Sequence, residues 1–477
     1  MKTRKYIYIK ITLLLGLIFN FVIGCDRNLS EEAVLATFPK TAEVFIDTPI
    51  GLGSNFYFPY APGPDNPVGS KFTAWKVDTE VSYKGSASMR IDVPDSDDPD
   101  GNYAGGILRI DGAGRDLSGY DALTFWAKAS QNVSVSEIGF GEDFFPNKFI
   151  TTMRNVSLTT NWVKYIIPIP DASKLLQERG MLRYAAGGTG TGTVKKGYNF
   201  WIDELKFEKL GTLAHPQPSI LNGSDDVLQT YTGTSSTISG LTQTFNTATN
   251  INQTVSASPS YYIFTSSNVN VATVNELGLV TIIGTGTTKI TATLAGVTAK
   301  GSLTITSLGN LITAPKPTRN PSTVKSLYSN EYVPVTGINF DPKFGGSTTT
   351  TTEVTTNGES VLLYKNNNYT GIIFNNTVNA STLTRLHIDI FTQTSNTSVG
   401  IQIRDIGANG IINTDVNTGN PIVDDKDFRF TANGITVGVW KSFDILLGGN
   451  ISLQKNNLGA LIITGGPDFI LDNIYFY

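Results

Sequence analysis

The sequence predicts an all-β chain built as three sandwiches, and three observations carry that reading. First, beyond residue 40 short runs alternate apolar and polar residues between clusters of Gly, Asn, Asp and Pro, the period-two pattern of half-buried strands. Leu123-Thr-Phe-Trp-Ala-Lys, Val163-Lys-Tyr-Ile-Ile and Ile401-Gln-Ile-Arg are examples. Second, helical periodicity is confined to Asp171–Arg179, where Asp171 would cap a turn or two. Third, only 16% of the 477 residues are charged, too few for a coiled coil or a solvating disordered chain when about 25% is ordinary. The net charge of −4 leaves no electrostatic footprint for nucleic acid. One cysteine excludes intrachain disulfides and Cys-based zinc sites, and two histidines leave little for His-based chemistry.

Taken in order, the chain opens with Lys2, Arg4, Lys5 and Lys10, followed by an apolar run from Ile11 to Gly24. That is a charged n-region and a short h-region, too short to span a bilayer as a mature helix. The run ends Val22-Ile23-Gly24-Cys25, which resembles a bacterial lipobox. The resemblance implies that residues 1–24 are a lipoprotein signal peptide and that Cys25 carries the lipid. Several acyl chains together give stable anchoring. Residues 25–40 form a tether whose Asp26, Glu31 and Glu32 resemble the acidic tethers of surface-exported lipoproteins.

Two proline-bearing seams, 211–218 and 312–321, divide the rest into 41–210, 215–308 and 322–477. Within the middle piece Val-Ala-Thr-Val, Leu-Val-Thr-Ile-Ile, Lys-Ile-Thr-Ala-Thr-Leu and Ser-Leu-Thr-Ile-Thr read as strands between Gly-bearing turns. It resembles the bacterial Ig-like domain, group 2, which acts as a spacer.

The flanking pieces resemble each other. Gly85-Ser-Ala-Ser-Met, Asn102-Tyr-Ala-Gly-Gly-Ile, Tyr120-Asp-Ala-Leu-Thr-Phe-Trp, Asn161-Trp-Val-Lys-Tyr and Phe200-Trp-Ile-Asp-Glu-Leu recur as counterparts in the last piece. Those counterparts are Gly358-Glu-Ser-Val, Asn368-Tyr-Thr-Gly-Ile-Ile, Leu386-His-Ile-Asp-Ile-Phe, Val439-Trp-Lys-Ser-Phe and Phe469-Ile-Leu-Asp-Asn-Ile, in the same order. Two copies of one β-sandwich are expected. The pattern resembles the jelly-roll carbohydrate-binding modules of glycoside hydrolases. The whole order of parts resembles a surface glycan-binding lipoprotein of a Bacteroidetes-type polysaccharide-utilisation locus. That resemblance implies an outer-membrane protein facing the cell exterior, a polysaccharide ligand such as the β-glucan laminarin, and a neighbouring outer-membrane glycan importer as partner.

No glycanase-type E-x-D-x-E is present, nor G-x-S-x-G or H-E-x-x-H. Glu137 and Glu142 are five residues apart, a spacing that would put them on opposite faces of one strand. No catalytic residue and no cofactor is expected. The acidic runs Asp95–Asn102 and Asn413–Asp427 suit Ca²⁺ by composition, but Pro99 and the missing terminal Glu favour solvated turns.

Glycan sites pair aromatic platforms with a few placed polar groups. Alternation sends Leu386, Ile388 and Ile390 to the core and leaves His387, Asp389 and Phe391 on the other face. Likewise Ile401 and Ile403 point inward while Gln402 and Arg404 face out. These five outward residues are ligand-binding candidates, together with Trp126, Tyr57 and Tyr60 in the first piece and the loop aromatics Phe340 and Phe344 in the last. Trp162, Trp201 and Trp440 are assigned to the core. Two alternatives compete with glycan capture: a glycoside hydrolase whose acidic pair is not recognisable, and a structural or adhesive lipoprotein.

Overall fold

The computed structural model describes residues 37–477 except 147–148, 250, 357, 394, 396, 416–417 and 467. The lipobox and Cys25 lie outside the described residues. The described chain is all-β, and its helical content is a handful of three-residue 3₁₀ turns. One of these, Ala172–Lys174, replaces the longer turn expected at 171–179. Contacts divide the chain into two units, one of residues up to 145 with 157–166 and 172–210, the other of 146–156, 167–171 and 211–477.

The first unit is a jelly-roll sandwich. One sheet runs Trp75–Asp78, Ser88–Val93, Tyr198–Glu208, Ala122–Ala129 and then residues 163–166, with Glu43–Phe45 also on Tyr198–Glu208. The other runs Tyr57–Pro59, Tyr103–Arg109, Gly180–Gly187, Val133–Phe140. Alternation sends Met89, Ile91, Phe125, Ala127, Phe200 and Ile202 between the sheets, all fully buried.

The second unit holds a middle part and a C-terminal sandwich. In the middle part Asp225–Thr230 pairs in parallel with Ser302–Ser307, which pairs antiparallel with Gly286–Leu294. Asn252–Ala257 bonds through Ser256 and Ala257 to Thr152 and Thr151. The C-terminal sandwich repeats the strand order of the first. One sheet runs Thr350–Thr356, Glu359–Lys365, Phe469–Phe476, Arg385–Thr392, Lys441–Leu446, with Lys325–Tyr328 on Phe469–Phe476. The other runs Ile338–Asn339, Tyr369–Val378, Leu458–Thr464, Thr397–Asp405, Lys426–Ile435.

The likeness of the two sandwiches extends to a defect. Glu204 and Asn473 both take left-handed backbone, each at φ 50°. Each sits where the register slips by one residue against its neighbours, opposite Trp126/Thr124 in one copy and Asp389/His387 in the other. Bulges of this kind bend and twist a strand locally, so two matching bulges give the two sheets the same local shape.

Candidate functional site

The outward face of the Tyr103–Arg109 strand in the first unit gathers the polar and aromatic groups. Tyr103, Gly105, Ile107 and Arg109 share that face, while Ala104 and Leu108 point into the core. Tyr60 follows the edge strand Tyr57–Pro59 and is tied to Gly105 through its own N–H, which donates to the Gly105 carbonyl at 3.1 Å. The Ser70 hydroxyl clamps the same residue, accepting from the Gly105 N–H at 2.9 Å and donating to its carbonyl at 2.6 Å. Glycine is required here by space. A Cβ at 105 would lie 2.7 Å from Cε2 of Tyr103 and 3.0 Å from Cδ2 of Tyr60, so both rings rest on the bare backbone.

Arg183 is the polar centre of this face. Its register partner Ile107 places it beside the rings. Its Nη1 lies 2.7 Å from Glu137 Oε2 and its Nε 2.6 Å from Glu142 Oε2. The Tyr60 hydroxyl donates to the same Glu142 oxygen at 2.8 Å. Burial opposes the Arg183 charge, yet Tyr60, Glu142 and Glu137 hold its pKa above the ordinary arginine value. Burial pushes the Tyr60 phenol up, so it stays a donor at any physiological pH. Both carboxylates therefore meet on one guanidinium, against the expectation of opposite faces. The strand ends at Phe140, and residues 141–142 no longer follow its alternation.

Phe144 closes one rim. Its ring is 49% exposed and meets Tyr60 and Phe58 edge-on, each at 6.2 Å between centroids. Its φ is 65°, a strained position for a bulky side chain and one that tends to mark functional sites. The Arg109 guanidinium lies 4.0 Å over the Phe58 ring and donates to the Asp143 carbonyl at 2.8 Å, fixing the loop that carries Phe144.

Of the residues read from sequence, Tyr60 belongs to this face. Tyr57 does not: alternation turns it inward, where it stacks on Trp75 and its hydroxyl meets that of the fully buried Tyr184 at 2.9 Å. Trp126 lies on the other sheet, stacked on Tyr83 at 3.9 Å between centroids, with Trp162 tilted against the same tyrosine. Trp201 is buried as expected, its indole N–H donating to Asp78 at 2.8 Å.

In the C-terminal sandwich, His387, Asp389 and Phe391 do face away from Ile388 and Ile390, but chain covers Asp389 and Phe391. Asp389 is fully buried and accepts from Asn473 at 2.8 Å, and His387 stacks on Tyr475. Phe391 is 3% exposed in a cluster with Tyr231, Ile470 and Trp440. Asp389 and Phe391 therefore offer no surface to a ligand, whereas the His387 side chain, 13% exposed, lines a cavity of about 460 Å³ with residues 315–319, Asp444 and Tyr475. Arg404 is fully buried, bonded to Thr414 and to the carbonyls of Asn413 and Gly419. Phe340 packs against the core, edge-on to Tyr328. Gln402 on the other sheet and Phe344 in the loop beside it remain partly open. The turn expected to be solvated at 413–427 instead buries Asp425 and Asp427 around Arg404. Among the described residues no three His, Cys, Asp or Glu side chains group closely enough to hold a metal ion.

Sequence reasoning missed Tyr103, Arg183 and Phe144. The recurring Asn-Tyr of 102–103 and 368–369 was the available signal for the first, and Phe-Phe before Pro146 for the last.

The first unit is thus a jelly-roll whose outward sheet face carries rings over a bare glycine beside a fixed polar centre. Residues 63–209 match the family described as Carbohydrate binding domain 30, and residues 249–296 match the Intimin, immunoglobulin-like domain. No curated protein matches the chain. One similar solved structure is the family 30 carbohydrate-binding module of the cellulosomal cellulase Cel9D-Cel44B of Clostridium thermocellum. It is 16% identical, with a TM-score of 0.24, over 36% of this chain and 95% of that one. The family 11 module from Clostridium thermocellum, in complex with a β-1,3-1,4-mixed-linked tetrasaccharide, is 14% identical with a TM-score of 0.21, covering 32% and 94%. The CBM22-1-CBM22-2 tandem domain of Xyn10C from Paenibacillus barcinonensis is 10% identical with a TM-score of 0.21, covering 93% and 99%.

Proposed function

We propose that this protein binds a polysaccharide without cleaving it, on the face built from Tyr60, Tyr103, Arg183 and Phe144, and that the ligand is a neutral β-glucan such as laminarin. The observation that carries the reading is the pair of tyrosine rings held over Gly105 beside the Arg183 centre, inside or next to the segment that matches a carbohydrate-binding family. Rings offer apolar area to the C–H faces of sugars, and the Arg183–Glu137–Glu142 group offers donors and acceptors in fixed positions. The two glutamates serve a cation here, which speaks against an acid–base pair. The lipobox at Cys25 supports an outer-membrane lipoprotein facing the exterior, one that hands captured glycan to an importer.

Affinity electrophoresis of the full-length protein against laminarin, mixed-linkage glucan, xylan and alginate, run beside a reducing-sugar assay, tests this. Retardation by a β-glucan without sugar release is expected. Release of reducing ends, or retardation by none of the four, overturns it.

A further inference from the structure

The arrangement over Gly105 has a counterpart in the C-terminal sandwich, which neither family match reaches. Gly371 occupies the equivalent place, two residues after Tyr369 as Gly105 is after Tyr103. A Cβ at 371 would come 2.5 Å from Cε2 and 3.0 Å from Cζ of Phe344. Here too an aromatic ring from the loop after the edge strand lies on bare backbone.

Register lays out the rest of the face. Thr464 pairs with Tyr369 and Gly400, while Ile462 pairs with Gly371 and Gln402. Across the next strand Gly400 meets Thr431 and Gln402 meets Arg429. Over Gly400, Gln402 and Ile462 lies a trough of about 790 Å³ between two walls, within the roughly 300–1,000 Å³ of ligand clefts. One wall is Phe344 and Tyr369, whose hydroxyl donates to the Gly345 carbonyl. The other holds Ile412, Thr414, Thr418 and Gly419. Two arginines fasten it: Arg404 donates to Thr414 Oγ1 at 2.5 Å and to the Gly419 carbonyl at 3.2 Å. Arg429 donates to the Gly419 carbonyl at 3.1 Å and to Asn420 at 2.9 Å.

We propose that this trough is a second glycan site, one that takes a neutral glucan segment separately from the first. The proposal rests on the reading of the protein as a carbohydrate binder. Neutrality follows from the charges. Arg404 faces Asp425 and Asp427 at 3.7 and 3.8 Å, and Arg429 Nε lies 3.1 Å from Asp427, so each cation already has its anion. What the trough presents is Phe344, Tyr369 and Ile462 for C–H faces, and Gln402, Thr431 and Thr464 for hydroxyls. The Gln402 amide is itself held by Asp427, so its position is set before a ligand arrives.

Isothermal titration of the full-length protein with β-1,3, β-1,4 and mixed-linked glucan tetrasaccharides tests this. Wild type should bind two equivalents of one of them. Phe344→Ala/Tyr369→Ala should leave one, and Tyr60→Ala/Tyr103→Ala the other. Thr464→Trp, an exposed position that fills the trough without touching the core, should weaken the C-terminal site at least tenfold with an unchanged melting curve. A single equivalent, lost in Tyr60→Ala/Tyr103→Ala and untouched by Thr464→Trp, overturns the second site and leaves the first. No binding of any tetrasaccharide or polysaccharide by wild type overturns both.

Discussion

Replacing Gly105 by alanine displaces two rings and touches nothing else that is rigid. The backbone there lies outside the left-handed region, so alanine fits the strand without strain, and exchanging glycine for alanine in a strand gains about 0.5–1 kcal/mol. The new Cβ, however, would stand 2.7 Å from Tyr103 Cε2, 3.0 Å from Tyr60 Cδ2 and 3.2 Å from Tyr103 Cδ2. Carbon atoms pack at about 3.5–4.0 Å, so both rings must withdraw by roughly half an ångström or more. Tyr60 cannot swing far while its hydroxyl stays 2.8 Å from Glu142. Either that bond lengthens or the ring tilts off the platform. Loss of a central aromatic anchor costs at least about 2 kcal/mol in binding, which is about thirtyfold in affinity. The gain in strand propensity and the cost of moving two rings oppose each other, so the melting temperature should move by only a few degrees. Titration with a β-glucan oligosaccharide and calorimetry on the same preparation read both quantities. Wild-type affinity at the first site of Gly105→Ala would refute the platform argument, because the rings cannot then be what holds the sugar.

Arg404→Met leaves Asp425 buried without its cation, while Asp427 keeps Arg429, and should cost about 3–5 kcal/mol, seen as a lower urea midpoint for the C-terminal sandwich. The stability contributed by Asp472 and His387 should fall as pH rises from about 4 to 8. Burial, aided by Asp389 and Glu359, pushes Asp472 up to about 7. Its folded form therefore holds a proton that the unfolded chain releases near 3.8, and this contribution fades as pH climbs to 7. At His387 burial works against the charge, but Asp389 and Asp444 outweigh it and raise the pKa above 6.5, so its contribution is full below that value and fades above. Melting curves across this range should flatten in Asp472→Asn and, at the upper end, in His387→Gln; unchanged slopes would remove both groups from the account. Cys25→Ser should abolish incorporation of labelled palmitate and shift the protein from the membrane to the soluble fraction, a test of the anchor read from the lipobox.

What could be read from sequence depended on how far the deciding contact lay along the chain. Alternation is local, so the inward residues Leu386, Ile388, Ile390, Ile401 and Ile403 were legible, and all are buried to within 1%. Whether an outward residue meets water is decided elsewhere. Asp389 is held by Asn473 and Phe391 packs against Tyr231, contacts no window around the strand contains. Arg404 failed as a ligand contact for the same reason: a turn ten residues on closes over it. Glu142 failed differently, since strand alternation was carried past the end of the strand at Phe140. The repeat itself held more information than the single residues did. A sandwich core needs apolar residues at inward positions of both copies, and those recur for packing alone. It has no need of a tyrosine and then a glycine at consecutive outward positions, yet Tyr103-Ala-Gly105 and Tyr369-Thr-Gly371 carry them in both. A glycine that weakens its strand beneath a ring that could have been placed in the core is a cost borne twice. Both sandwiches carry it, and an open aromatic face is what that pair of residues builds.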